Sequence, residues 1–155
     1  MINHSKKARE LFEQGYNCAQ SVFAAFSDDI GMDFDTSLKI SSSFGGGMGR
    51  LREVCGAVTA MFMIAGLKYG YADPQNDEVK AEHYKLIQSL AFRFKEMNGS
   101  FICCDLLGLA KGPDDPAPET RSEDYYHSRP CSELVACAAE MIENTILNKK
   151  MEEEK

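Results

Sequence analysis

The chain has 155 residues, of which 44% are hydrophobic, and it carries a net charge of −7 with a pI near 5.0. A chain of this length buries roughly 70% of its unfolded surface, so one domain over residues 1–150 is expected to fold without disulfide bonds. The acidic balance and the scattered basic residues argue against a nucleic-acid partner.

The N-terminal residues are charged where a secretory signal needs an apolar stretch, and no segment is apolar over the length that a membrane span requires. We therefore expect a soluble, cytoplasmic protein that does not insert into membranes. In a reducing compartment, six cysteines are more often metal ligands, redox thiols or core residues than structural disulfides.

Apolar residues recur at helical spacing along almost the whole chain, and no segment alternates as a strand does. The pattern predicts about four long and two short helices: Ala8–Phe26, a short helix from Asp35 or Thr36 to about Phe44, Leu51–Tyr69, Asn76–Met97, a short helix over 101–110, and a last helix that begins at Pro130 and precedes a frayed tail at 151–155. The predicted fold class is therefore an all-α, single-domain helical bundle.

The stretch KGPDDPAPETRSEDYYHSRP, residues 111–130, has the proline and acid content of a surface loop. It is long for a loop in a compact domain, which favours a lid or a partner contact. Disorder is the alternative interpretation.

Three cysteines fall in the first turn of a predicted helix: Cys55, Cys103 and Cys131. Free N–H groups and the positive end of the helix dipole stabilise a thiolate at such positions, but the dipole alone lowers a thiol pKa by about one unit at most. A stronger partner is needed, and three arginines flank these sites: Arg50, Arg52 and Arg129. We therefore expect these thiols to have pKa values below that of free cysteine, whereas Cys18 points inward from the middle of the first helix.

A run of glycines precedes Cys55 in the stretch FGGGMGRLREVCGAVTA, residues 44–60. Glycine lets backbone N–H groups approach an anionic sulfur or a bound cluster closely. The candidate cofactor-binding residues are Gly46, Gly47, Gly49, Arg50, Arg52 and Gly56. The stretch matches neither the dinucleotide fingerprint nor the phosphate loop, so a nucleotide site is not expected.

Each cysteine taken alone is more often a buried core residue than a functional thiol. Cys104 and Cys137 keep that interpretation, because Cys104 directly follows another cysteine and Cys137 lies on an alanine-rich helix face. No C-x-x-C pair is present, so a thioredoxin-type dithiol and the usual paired zinc ligands are not predicted.

Five stretches resemble a known family: GYNCAQSV, FGGGMGRLREVCGAVTA, AGLKYG, CCDLLG and RPCSELV. They are similar to the redox-active proteins that are named for a C_GCAxxG_C_C pattern of four cysteines. The resemblance implies that the family cysteines are Cys18, Cys55, Cys103 and Cys131, with Gly56 and Ala57 in the central motif. Cys104 is then an extra thiol or exchanges roles with Cys103, and Ala60 replaces the last glycine of the motif.

The resemblance implies redox activity and leaves three hypotheses open. In the first, the four cysteines converge to bind an iron–sulfur cluster or another metal centre for electron transfer or sensing. In the second, two of the four cycle between thiols and a disulfide without a metal. In the third, the chain is a helical interaction module with inert buried cysteines. The redox partner stays unknown, and a homodimer stays open.

Overall fold

Eight right-handed α-helices form the molecule in a computed structural model that describes all residues, Met1–Lys155. They are α1 (His4–Glu13), α2 (Cys18–Ala25), α3 (Phe34–Ser41), α5 (Gly56–Tyr69), α6 (Asp77–Asn98), α7 (Cys103–Leu107), α8 (Glu123–Ser128) and α9 (Cys131–Glu153). A 3₁₀ turn at Ser42–Phe44 and a single glycine turn, α4 (Gly45–Met48), connect α3 to the segment before α5. The predicted all-α fold class is confirmed, since extended backbone pairs only at an isolated bridge between Val54 and Ile102.

The first predicted helix is divided into α1 and α2. Gly15 adopts a left-handed conformation with a φ of 105°, and Asn17 caps α2 through a capping box with Gln20. The Asn17 side chain accepts from the Gln20 N–H at 2.9 Å, and the Gln20 side chain accepts from the Asn17 N–H at 3.1 Å. The prediction that Cys18 lies in the middle of a long helix is therefore wrong, because Cys18 is the first residue of α2.

Three other boundaries differ from the sequence-based expectation. Asp33 rather than Asp35 or Thr36 caps α3, and α5 begins five residues later than predicted because residues before Cys55 adopt left-handed conformations. The stretch 111–130 contains the short helix α8, and α9 continues to Glu153, within the predicted tail. No helix combines the length and the apolar character that crossing a membrane requires.

The core lies where α1 packs on α9 and α2 packs on α5, with α5 and α9 also in contact. Its largest fully buried side chains include Phe12, Phe23, Phe26, Met61, Ile64 and Ile142. Each such side chain stabilises the fold by about 1.5–3 kcal/mol relative to its exposed state. Helix α6 lies on the outside and buries mainly Leu90, Ala91 and Phe94.

A buried histidine joins the two ends of the chain. The His4 ring lies 2.5 Å from a Glu143 carboxylate oxygen on α9 and 2.7 Å from an Asp29 oxygen in the α2–α3 connection. The same ring stacks on Phe26, with the centroids 4.1 Å apart. The start of α1 is thereby held to α9 and to the end of α2.

Candidate functional site

Four cysteines from four helix starts line one cavity of about 390 Å³. Cys18, Cys103 and Cys131 are the first residues of α2, α7 and α9, and Cys55 is the N-cap of α5. Cys104 and Cys137 do not line this cavity. All six cysteines are free thiols. The structure thus brings together the four cysteines that the sequence pattern singles out.

Gly56 permits the close approach of α2 to the start of α5. A Cβ atom at this position would lie 2.6 Å from the Cys18 sulfur and 2.7 Å from the Phe44 carbonyl oxygen, which is closer than real Cβ contacts allow. Any larger residue would therefore push Cys18 away from Cys55. This collision explains why a glycine follows the cysteine in the central motif.

The glycine-rich stretch before Cys55 forms a left-handed turn. Every residue from Gly46 to Arg50 has a positive φ of 61° to 69°, including Met48 and Arg50. The Gly49 N–H donates to the Gly45 carbonyl at 2.9 Å and closes the turn. Such conformations cost little for glycine but about 1–2 kcal/mol for other residues. The turn directs the backbone of Arg52 back toward α7.

Cys103 rests against this turn. A Cβ atom at Gly47 would lie 2.5 Å from the Cys103 Cβ, so Gly47 leaves room for the thiol-bearing residue. The Cys103 N–H donates to the Glu53 carbonyl at 2.6 Å, and the Cys55 N–H donates to the Phe101 carbonyl at 2.9 Å. These two bonds flank the bridge between residues 54 and 102. They fix the starts of α5 and α7 beside each other.

Arg52 is the arginine that contacts a thiol. Its side chain is only 5% exposed, and its Nη1 donates to the Cys103 sulfur at 3.6 Å. Its Nη2 donates to an Asp114 carboxylate oxygen at 3.0 Å. Arg52 lies three residues before Cys55 in sequence, but the left-handed turn brings it to Cys103 instead.

The expectation of low thiol pKa values is wrong for all three cysteines for which it was made, Cys55, Cys103 and Cys131. Burial raises the pKa of Cys55 well above its ordinary value and raises the pKa of Cys131 to about 12. Burial also raises the pKa of Cys103, although the bond from Arg52 acts in the opposite direction. A negative charge on Cys18 would raise all three further, because Cys18 lies near each of them. The free-energy cost of removing a thiolate from water exceeds the stabilisation that the helix dipoles and the arginines provide.

The loop that precedes α8 is tied to the cavity by two carboxylates. Asp114 pairs with Arg52 at 3.0 Å and with Arg50 at 3.3 Å, and Glu119 pairs with Arg129 at 2.6 Å. The hydrogen bond from Arg52 lowers the pKa of Asp114, so this pair is ionised at neutral pH. Two prolines of the same loop also line the cavity: Pro116 and Pro118. Part of the segment therefore lies against the cavity and is anchored to its arginines.

A fourth arginine lines the cavity without a carboxylate partner. Arg121 donates to the backbone carbonyls of Phe12 at 3.2 Å and Tyr16 at 3.1 Å. Its guanidinium lies 4.9 Å from the centroid of the Tyr125 ring. Four arginines and two paired carboxylates give the cavity wall an excess of two positive charges, in a chain whose net charge is −7.

The candidate residues proposed from sequence do not all reach the cavity. Gly46, Arg50, Arg52 and Gly56 line it together with the four cysteines. Gly47 and Gly49 do not line it, and Gly47 lies against Cys103. The polar side chains on the cavity wall that were not candidates from sequence are Asn17, Ser42, Glu119, Arg121 and Tyr125. Among these, only Asn17 had a local signal, which is the capping pattern Asn-x-x-Gln.

The comparison with protein families gives one match. The family model C_GCAxxG_C_C, described as a putative redox-active protein, matches residues 16–145, which is most of the chain. The chain belongs to this family. No curated protein and no solved structure matches the chain.

The C_GCAxxG_C_C pattern has a structural meaning in this chain. Its cysteines are the four cavity thiols, and its central glycine is Gly56, where a side chain would collide with Cys18. Ala60, which stands where the pattern has its last glycine, is fully buried in α5. Cys104 is buried outside the cavity, next to Asp105. The extra thiol is therefore Cys104, and Cys103 is the one that faces the cavity.

The four cavity thiols form a candidate donor set for a metal centre. Four thiols around one cavity match the ligands of iron–sulfur clusters. However, no group of three or more His, Cys, Asp or Glu side chains is arranged to hold a metal ion. The donor chemistry fits a cluster, whereas a preformed site for a single ion is absent.

Proposed function

We propose that this protein holds an iron–sulfur cluster, which transfers electrons or senses the redox state of its surroundings. The cluster ligands are Cys18, Cys55, Cys103 and Cys131. The observation that supports the proposal is the convergence of exactly these four thiols on one cavity with an excess of positive charge. Thiolate-ligated clusters carry net negative charge, which the excess of two positive charges on the wall would balance.

A cluster agrees with the geometry better than a single ion does. The thiols do not form a closed group around one point, and a cavity of about 390 Å³ has room for a group with several metal atoms. A bound cluster would supply a centre that accepts and releases one electron. Burial raises the pKa of Cys55 and Cys131, so both thiols would release a proton when they bind a cluster.

The residues around the thiols have definable roles in this proposal. Arg52 would donate to the Cys103 sulfur, and hydrogen bonds to ligand sulfurs tune the reduction potential of a cluster. Gly56 lets Cys18 and Cys55 approach the same point. Pro116 and Pro118 restrict the access of water.

A thiol–disulfide oxidoreductase is the second candidate. It is favoured by the free state of all six cysteines and by the proximity of Cys18 to Cys55. Oxidation of two thiols to one disulfide would release two protons and two electrons to an acceptor. This candidate ranks second because a thiolate is the attacking species, and burial makes thiolates rare at Cys55 and Cys131 at neutral pH. We propose a reducing compartment such as the cytoplasm, because six free thiols persist in such surroundings.

The test is anaerobic reconstitution with iron and sulfide, followed by an absorbance spectrum and analysis of iron and sulfide. We expect visible absorption that bleaches on reduction, and a large loss of bound iron when any of the four cavity cysteines is replaced by serine. Cys137→Ser is the matched control, because Cys137 is half-buried and lies outside the cavity. A colourless wild-type protein that forms a disulfide under mild oxidation would instead support the oxidoreductase. A protein with neither property would support an interaction module.

A further inference from the structure

The cysteine cavity has the size and lining of a small-molecule site. Its volume of about 390 Å³ lies within the range of roughly 300–1,000 Å³ that is usual for ligand pockets. Apolar side chains form part of the wall, among them Leu106, Leu107 and Leu134. Four arginines and one glutamate, Glu119, lie on the remainder, so the cavity offers both an apolar surface and specific polar contacts.

The cavity arginines already bind carboxylates of this chain. Asp114 is held by Arg52 and Arg50, and Glu119 is held by Arg129. Both acids belong to an exposed segment, residues 111–120. The arginine side chains are only 5–18% exposed, whereas the two carboxylates are 39–40% exposed, so an anion that replaces the carboxylates would keep the buried guanidinium groups paired and release the acids to water. The lid carboxylates therefore occupy places that a free carboxylate of similar geometry fits.

Two further donor groups at the same wall do not bind a carboxylate, namely the guanidinium of Arg121 and the Nε of Arg52. Arg121 is bonded only to backbone carbonyls. The Arg52 side chain is only 5% exposed, and its Nε has no hydrogen-bond partner. A buried donor without an acceptor is uncommon and indicates that an acceptor is missing from the site.

We propose that the arginine side of this cavity binds a small organic dicarboxylate, which displaces Asp114 and Glu119 from the arginines. Guanidinium groups match carboxylates in planar, bidentate geometry, and the apolar part of the wall accommodates the carbon chain between the two acids. The ligand shares the cavity with the proposed redox centre but needs no metal. Its binding can therefore be measured on the metal-free protein, and a failure here is distinct from a failure to bind iron.

The test is isothermal titration calorimetry of succinate into the metal-free, reduced protein. We expect saturable one-site binding. Arg121→Gln should weaken it at least about tenfold, which is the effect of losing one charge-assisted contact. The double variant Asp114→Asn, Glu119→Gln should bind succinate several-fold more tightly, because the competing side chains are gone. Arg93→Gln is the control, since Arg93 is exposed, forms no ion pair and lies outside the cavity.

Three outcomes would overturn the proposal. The first is the absence of saturable heat with both the wild type and the double variant. The second is equal binding of sulfate and succinate, which would indicate a site for any oxyanion. The third is unchanged or weaker succinate binding by the double variant, which would show that the lid carboxylates are not competitors. A misfolded Arg121→Gln variant would also lose succinate binding. Misfolding could not explain tighter succinate binding by the double variant, because that result requires a folded cavity.

Discussion

Gly56 decides how closely two of the thiols approach each other. The position has no room for a side chain, since a Cβ would meet the Cys18 sulfur at 2.6 Å and a backbone oxygen at 2.7 Å. The sulfur belongs to a side chain that can rotate, but the Phe44 carbonyl belongs to the turn that builds the cavity. Relief of the collision would therefore displace backbone as well as a thiol.

We predict that Gly56→Ala lowers the free energy of unfolding by about 1–3 kcal/mol, the usual cost of overpacking. Gly66→Ala is the matched control in the same helix, where an added Cβ meets nothing within 4 Å. That change should stabilise the protein by about 0.5–1 kcal/mol, because alanine favours a helix interior over glycine. Urea denaturation measures both. Equal effects of the two substitutions would contradict the steric role of Gly56.

The raised pKa of Cys131 leads to a second prediction, which concerns the reactivity of its thiol. Because the pKa rises from 9.0 to about 12, the thiol is protonated in the native state, and its thiolate fraction below pH 9 is lower by about a thousandfold. Alkylation of native Cys131 at pH 8 should be at least about tenfold slower than in the urea-unfolded chain. The native rate should keep rising with pH up to about pH 12.

Peptide mass spectrometry after iodoacetamide treatment measures these rates for each cysteine of the metal-free protein. Cys137 provides an internal comparison, as it is half-buried and lies outside the cavity. A native Cys131 that reacts as fast as the unfolded one would show that burial does not control this thiol.

The sequence predicted which thiols meet, but not which thiol Arg52 contacts or how the thiol pKa values shift. The four-cysteine pattern located the cavity thiols, because it records which residues must meet. The partner of Arg52 could not be predicted from proximity in sequence, which favours Cys55, whereas the fold selects Cys103. The sign of the pKa shifts depends on burial by distant helices, and local sequence does not encode it.

Among the elements, the start of α2 carries the most connections to the site. Asn17 caps α2, and its Nδ2 donates to the Ser42 carbonyl at 3.0 Å. Gly45 packs against the same side chain. One residue therefore positions Cys18 and also holds α2 to the turn that carries Arg52.

We predict that Asn17→Ala lowers the free energy of unfolding by about 1–2 kcal/mol and speeds alkylation of Cys18 in the metal-free protein. Asn76→Ala removes the cap of α6, where Asn76 accepts from the Val79 N–H at 3.1 Å. It should cost about 1 kcal/mol and leave the Cys18 rate unchanged. Thermal denaturation and alkylation kinetics check both. An equal change at Cys18 in the two variants would show that the effect is global and not local to α2.

Helical periodicity identified the elements better than their ends. The apolar spacing of Leu11 and Phe12 continues into Ala19 and Val22, so the break at Gly15 is invisible to a search for period alone. The capping pattern at residues 17–20 was the available signal. A left-handed run that includes Met48 and Arg50 contradicts the preferences of those residues, so only tertiary contacts explain it.

At the scale of the whole molecule, His4 connects the two ends of the chain. Its ring bonds to Glu143 and Asp29 and stacks on Phe26. Both ring nitrogens lie within hydrogen-bond distance of a carboxylate oxygen. Loss of the ring would leave two partly buried carboxylates without their partner and would loosen α1 from α9.

We predict that His4→Ala lowers the free energy of unfolding by about 2–4 kcal/mol through lost packing and unpaired carboxylates. Lys6→Ala is the control on the same helix, where the pair with Glu10 is exposed and weak. That change should stay within about 0.5 kcal/mol. Chemical denaturation measures the difference. A loss below about 1 kcal/mol for His4→Ala would show that His4 does not hold α1 to α9.

The fold brings four helix starts to one cavity, and the central claim is that the thiolates of these four cysteines hold iron there. Iron K-edge X-ray absorption of the anaerobically reconstituted protein tests this claim most directly. We predict a first shell of sulfur neighbours alone around the iron, with an iron–iron contribution beyond it. In Cys18→Ser, an oxygen neighbour should appear or the iron should be lost. A protein that binds no iron, or a shell of nitrogen and oxygen that Cys18→Ser leaves unchanged, would contradict the account.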